Sequence, residues 1–261
     1  MAQAKTNNKS VGLGAGMVVL ISVIFTNVLF YTVFKGQVDE KGHPKNIIGL
    51  FYQGGVIVPF LMAIFIICIT FFIERLLTIS RAAGTGSLDT FLQSIKTRLN
   101  NNDIEGAIQD CNKQKGAVAN VVQAGLHKYA DMLRNTDLDE EEKVMNIQKE
   151  VEETTGLELP ALEKNMWILA TIASVGTLVA LLGTVIGMIK AFSALAVSGN
   201  PNPEQLATGI SEALVNTALG IFTSALAIIF YNLCTQKIDK LTYSIDEMGY
   251  SIAQTFAARK K

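Results

Sequence analysis

Glu212 is the only carboxylate between Leu206 and Leu233, a stretch otherwise made of apolar, small and uncharged polar residues. In hydrocarbon an ionised side chain costs at least about 2.5 kcal/mol, so a carboxylate kept there is a candidate for proton or charge work. Asn216 follows one helical turn later on the same face, and Thr217 comes next. In the preceding apolar stretch, Thr184 lies as far before Ser198 as Glu212 lies after it. With Ser198 at the tip of a helical hairpin, equal rise per residue puts Thr184 and Glu212 at one membrane depth. Thr184, Glu212, Asn216 and Thr217 are therefore the candidate pore-lining residues of a proton pathway. The competing reading is structural: Glu212 hydrogen-bonds across helices to hold an oligomer together, and the threonine hydroxyls bond to their own backbones.

The elements that must carry these residues are two apolar runs, Trp167 to Ile189 and Leu206 to Leu233. Each exceeds the roughly 20 residues a helix needs to cross a bilayer, and a backbone in lipid has to satisfy its own hydrogen bonds. Gly199, Pro201 and Pro203 break the helix between them. Gly183 and Gly187 are spaced GxxxG, and Gly209, Ala213 and Thr217 repeat the four-residue step in the second run. Such spacing lets helix backbones approach closely in lipid. Gly183, Gly187, Gly209, Ala213 and Gly220 are the expected packing positions.

The rest of the chain supplies two further apolar runs and a charged region. Val11 to Phe34 is continuously apolar apart from Asn27 and scattered hydroxyls, after a tail carrying Lys5 and Lys9. A cleaved signal peptide is the alternative, but its apolar core is usually about 7–15 residues and ends in a small-residue cleavage site. A retained span is expected. The Lys35–Asn46 loop holds His43. Ile47 to Ile73 is the second span, with Gly54-Gly55 as a break or entry turn, Pro59 near its start, and Glu74-Arg75 at its edge.

Apolar residues recur at helical spacing in the soluble part: Leu88, Phe91, Leu92, Ile95 and Leu99, then Val118, Val121, Val122, Leu126 and Tyr129. Asp103 is placed to cap the helix from Ile104, and the acids from Asp137 to Glu142 to start a longer one running past Pro160 into the hairpin. Ile238, Leu241, Ile245, Met248 and Ile252 mark an amphipathic tail helix, closed by Arg259-Lys260-Lys261.

The expected fold is all-α: a polytopic membrane protein whose long transmembrane helices extend into a cytoplasmic helical domain. Its parts are 1–46 (tail, span over 11–34, periplasmic loop), 47–77 (span), 78–164 (cytoplasmic domain), 165–233 (hairpin) and 234–261 (tail helix). Lysine and arginine crowd the 73–164 region and the tail and avoid the 191–205 loop, which puts both termini in the cytoplasm. The three lysines of the 35–45 loop run against that rule.

Near-zero net charge gives no reason to expect nucleic acid, and 49 % hydrophobic residues segregated into runs fit the lipid bilayer as solvent. Cys68, Cys111 and Cys234 have no paired or metal-ligand spacing and are expected as free thiols; His43 and His127 have no zinc-ligand neighbours. No nucleotide loop or nucleophile motif is present, so no cofactor, metal or enzymatic activity is expected.

The motifs Leu181-Leu-Gly-Thr-Val-Ile-Gly-Met and Gly209-Ile-Ser-Glu-Ala-Leu-Val-Asn-Thr-Ala-Leu-Gly-Ile resemble the MotA/TolQ/ExbB proton-channel family, the ExbB branch most of all. Asp103-Ile-Glu-Gly-Ala-Ile and Val121-Val-Gln-Ala-Gly-Leu resemble its cytoplasmic domain. The resemblance implies a homo-oligomeric, pentameric ring in the inner membrane of a Gram-negative bacterium. It also implies an ExbD-like partner with an Asp-bearing transmembrane helix and a TonB-like protein that carries work to outer-membrane import. By position, Thr184, Glu212 and Thr217 match the family's pore-facing polar residues. A TolQ-like role in a cell-envelope motor and a non-conducting membrane scaffold are the alternatives. The chain departs from the pattern at Gly176-Thr177, Ala180, Asn216 and Lys190, and adds the Val11–Phe34 span. Lys190 is expected to snorkel to the interface or to pair with Glu204.

Overall fold

The computed structural model describes residues 14–39, 44–197 and 203–259. Lys5, Lys9, His43, the expected hairpin tip at Ser198, and Lys260-Lys261 lie outside them. Among the described residues the chain is all-α, with no strand, and four helices are long and apolar enough to span a bilayer. The protein is a polytopic membrane protein.

The helices are α1 (Ala15–Leu29), α2 (Ile47–Gln53), α3 (Val58–Ala82), α4 (Leu88–Asn100), α5 (Ile104–Gln114), α6 (Gly116–Arg134), α7 (Glu140–Glu163), α8 (Met166–Val197) and α9 (Pro203–Ala258). They form two compact units, one of Met1–Phe71 with Ile168–Phe230, the other of Phe72–Trp167 with Tyr231–Lys261.

The first unit is the apolar one. Met17, Leu20, Ile24 and Phe25 on α1 and Leu178, Leu181, Leu182 and Ile189 on α8 all point outward, as lipid-facing side chains do. At 32 residues α8 is roughly 48 Å long, more than a hydrocarbon core requires. After α1 the chain tightens through a π-helical turn, Phe30–Phe34, and a 3₁₀ turn, Lys35–Gln37. Phe30 is buried with Val58 and Val215 and stacks on Tyr52 at 5.0 Å, so aromatic packing pins this end of α1. Asn46 caps α2, accepting from the Gly49 amide at 3.0 Å.

The segment from Ile47 to Ile73 is divided at Gly54-Gly55, where a break or entry turn is expected. Gly54-Gly55 ends α2, Gly55 takes φ +73°, and a 3₁₀ turn, Gly55–Ile57, leads into α3. Pro59, in the first turn of α3, lacks an amide that would have had no helical partner there.

The second unit packs its helices about an apolar core containing Ile95, Leu99, Val118, Leu126, Tyr129, Ile147, Ile245, Met248 and Ile252. The residues picked out by helical spacing in α4, α6 and the end of α9 are buried there, apart from the partly buried Leu88. Asp103 caps α5 by accepting from the Gly106 amide at 2.9 Å. Asp139 and Glu142 form a capping box at the start of α7, with acids through its first turn.

Two boundaries differ from expectation. α7 passes Pro160 but stops at Glu163, because Lys164 is extended and Asn165 takes φ +64° before α8 begins. The tail is not a separate helix: α9 is continuous for 56 residues. Arg75, expected at a membrane edge, is 2 % exposed. It donates to the Ala161 and Leu162 carbonyls at 3.4 and 3.3 Å and pairs with Glu74, so it caps the C-terminal end of α7.

Candidate functional site

α8 and α9 lie close together because small residues face each other along both. A Cβ on Gly187 would sit 2.8 Å from the Gly209 carbonyl oxygen and the Ala213 amide; one on Gly209 would be 2.8 Å from the Ala191 methyl. Gly220 lies against Ala180 and the Gly176 carbonyl, and Gly183 against Asn216, whose Cβ a methyl there would meet at 2.7 Å. These glycines act within one hairpin, where no bulkier residue would fit without moving backbone.

That approach brings polar side chains into pairs along the seam. Nearest the loop, Lys190 donates to Glu212 Oε1 at 2.6 Å. Further along, the Thr184 and Thr217 hydroxyls hydrogen-bond each other, and beyond them Thr177 donates to Ser224 at 2.9 Å. This register corrects the expected level pairing of Thr184 with Glu212. Thr184 faces Thr217, about five residues or roughly 7 Å further along α9. The pairs Lys190–Glu212, Thr184–Thr217 and Thr177–Ser224 share a numerical midpoint past 198, so Thr184 and Glu212 are not level.

Glu212 is 6 % exposed. Besides Lys190 it meets the turn before α3, where a Cβ on Gly55 would fall on its carboxylate oxygen. Next to it, Ser211 donates to Gln53 Oε1 at 3.3 Å, and Val215 crowds Gly54. The divided second span thus forms a wall behind the carboxylate, which a straight helix with side chains at 54 and 55 would fill. Asn216 is 0 % exposed, and its amide nitrogen and oxygen have no hydrogen-bond partner. A buried polar group left so costs about 1–3 kcal/mol.

The hydroxyl pair has a stoichiometry of its own. Thr184 is within reach of the Ala180 carbonyl at 3.1 Å and Thr217 of the Ala213 carbonyl at 3.0 Å, in addition to each other. Each hydroxyl has one hydrogen. Two hydrogens serve three contacts.

The hairpin with its buried carboxylate lies inside residues 113–247, just over half of the chain, which match the model of the MotA/TolQ/ExbB proton channel family. The chain belongs to this family. Relatives include the Tol-Pal system protein TolQ of Haemophilus influenzae, 37 % identical over 84 residues, or 32 % of this chain and 37 % of that protein. The TolQ of Pseudomonas aeruginosa is 28 % identical over 124 residues, 48 % of this chain and 54 % of that protein. The biopolymer transport protein ExbB of Aquifex aeolicus is 30 % identical over 114 residues, 44 % and 69 % respectively. The matched stretches therefore span about a third to a half of the TolQ relatives.

Thr184, Glu212, Asn216 and Thr217 are brought to one helix seam, with Glu212 and the threonine pair at successive levels. Sequence reasoning missed three participants. Lys190 was expected at the interface or with Glu204, and the structure places its ammonium on Glu212. The Gly55 backing and the Thr177–Ser224 pair were not anticipated; their signal is the antiparallel register, legible only once the tip is correctly placed.

Proposed function

We propose that this chain is an ExbB-like proton-channel subunit of an inner-membrane motor that couples the proton gradient to outer-membrane import. The observation that carries the reading is Glu212: a carboxylate 6 % exposed, held on a membrane helix, in line with two hydroxyl pairs. Carboxylates and hydroxyls both accept and donate protons, and a file of them along a helix seam is a proton lane. Asn216, buried without a partner, adds a polar group to that file. In this reading Thr184, Glu212, Asn216 and Thr217 line the path at the meeting of subunit and partner.

The working assembly is a homo-oligomeric ring, pentameric by family resemblance, around an ExbD-like protein whose membrane helix brings an aspartate. No Asp lies in this chain's membrane segments, so the partner supplies it. A TonB-like protein transmits the work. Both termini face the cytoplasm, which four spans and the lysine and arginine distribution support.

The deciding experiment replaces Glu212 with Gln in cells that depend on the system. Normal assembly with energy-dependent import lost supports proton work at Glu212; full import leaves the chain a scaffold. A TolQ-like role is the second reading, favoured by the TolQ relatives. Deleting the gene separates the two: import failure marks the first role, envelope leakage with intact import the second.

A further inference from the structure

α1 lies outside residues 113–247, the part of the chain that matches the family, and carries none of the seam residues. One side of it is nevertheless built to meet other helices. Ser22 and Thr26 on α1 and Phe30, the first residue after it, recur at a four-residue step and are buried. Leu20, Ile24, Phe25 and Val28 point outward. The Thr26 hydroxyl donates to the Ser22 carbonyl at 2.9 Å, so the stripe offers its neighbours a small and apolar surface.

The stripe ends in a joint. Phe30 is 2 % exposed and shares a buried cluster with Val58 of α3 and Val215 of α9, against which Phe51, Tyr52 and Leu219 also pack. Its ring stacks on Tyr52 at 5.0 Å. Hydrogen bonds tie the same end of α1 to α2: the Lys45 amide donates to the Gln37 carbonyl at 3.0 Å, and the Asn46 side chain to Gln37 Oε1 at 2.7 Å.

α2 needs such a seat. It has seven residues, short of the roughly 12–15 at which an isolated helix is even marginally stable, and Gly54-Gly55 parts it from α3. Its position, and that of the glycine turn, is therefore set by what packs on them. An added Cβ on Gly54 would run into Val58 and Val215, the same two side chains that enclose Phe30. The next residue, Gly55, lies against Glu212, and the one before, Gln53, accepts from Ser211 at 3.3 Å. The Phe30 ring thus sits behind the backbone that walls the carboxylate.

We propose that Phe30 is a positioning residue of the hairpin site and α1 its brace: through Tyr52, Val58 and Val215 the ring holds the Gly54-Gly55 turn on α9 and fixes the space in which Glu212 lies. The consequence for transport rests on the reading of the hairpin as a proton path. The bracing itself does not.

The test joins paired cysteines in the full chain, purified with whatever co-isolates and returned to lipid. Gln53→Cys with Ser211→Cys gives a turn link, which reads the seating of the turn on α9. Thr177→Cys with Ser224→Cys gives a seam link between α8 and α9. A short bifunctional methanethiosulfonate bridges each pair and peptide mass spectrometry counts the products; the native Cys68, Cys111 and Cys234 are buried. Phe30→Ala cuts the turn link roughly fivefold or more, leaves the seam link unchanged and, without the added cysteines, lowers energy-dependent import in cells. Phe30→Leu, which refills the space, restores link and import. Phe25→Ala, the same truncation on the outward side of α1, behaves as wild type. An undiminished turn link in Phe30→Ala overturns the proposal, as does equal loss of both links, which would make Phe30 an ordinary packing residue. Import at the wild-type level with the turn link lost overturns its part in the site. Should Phe30→Ala fail to accumulate, Phe30→Val makes the same comparison. Linking needs no transport, so import that survives Glu212→Gln defeats the channel reading alone.

Discussion

Gly55 and Glu212 occupy complementary space: a Cβ added at Gly55 would run into the Glu212 carboxylate, which the glycine hydrogen leaves room for. Gly55 also takes φ +73°, a backbone state that costs other residues about 1–2 kcal/mol. Gly55→Ala is therefore expected to lower the thermal midpoint of the detergent-solubilised protein and to impair the activity that depends on Glu212. Heating followed by size-exclusion chromatography reads the first, energy-dependent import the second. Wild-type behaviour in both would detach the divided span from the site.

The closeness of α8 and α9 gives a second expectation. Gly187→Val pushes a branched side chain onto the Gly209 carbonyl and the Ala213 amide, and overpacking of this kind costs about 1–3 kcal/mol. Gly156→Ala is the control. That glycine sits exposed in α7 with nothing within 4 Å of an added methyl, so alanine there stabilises by up to about 1 kcal/mol. Unfolding midpoints of the two variants should move in opposite directions.

Tyr129 carries a buried hydroxyl without a hydrogen-bond partner, its ring edge-on to Phe256 at 4.9 Å. Tyr129→Phe keeps the ring contact and removes the unsatisfied group. Stability is expected to be unchanged or to rise by up to about 1–3 kcal/mol, measured by chemical denaturation of the same preparation. A loss of stability would mean that the hydroxyl has a partner in the assembled protein.

Burial pushes the Cys111 thiol up to about 12, helped by the neighbouring Asp110 charge. Since the thiolate is the reactive form, Cys111 should resist alkylation by iodoacetamide at pH 8 in the folded protein and react promptly once denatured. Mass spectrometry of the Cys111 peptide under both conditions checks this.

Asp110 answers to acid. The Ser94 hydroxyl, then the Arg98 guanidinium and Lys113, hold its carboxyl below the ordinary 3.8, against the opposing pull of burial. A depressed carboxyl contributes stability that is complete above its unfolded value and is lost as pH falls through the folded one. The stability gap between wild type and Asp110→Asn should therefore be constant near neutrality and close below about pH 4.

Much of this architecture was legible in the sequence, for reasons that differ by region. Apolar runs reported the four spans because lipid allows little else, and helical spacing located the second unit's core from Phe91 to Ile252. The cap at Asp103 was readable because it is local, and the acids from Asp137 to Glu142 marked the start of α7 without singling out Asp139. The seam was harder. Glu212 stood out by type, but its partner depended on where the hairpin turns, and misplacing the tip by a few residues exchanged Lys190 for Thr184. Arg75 shows a similar limit: its donation to carbonyls some eighty-six residues away has no local mark in the sequence.

The Thr184–Thr217 pair, with two hydrogens and three contacts, has two senses of alignment, in each of which a different backbone carbonyl goes without. In the proposed proton path, a proton relayed through such a pair would reverse its sense, and the hydroxyls would have to swing back before the next one followed by the same route.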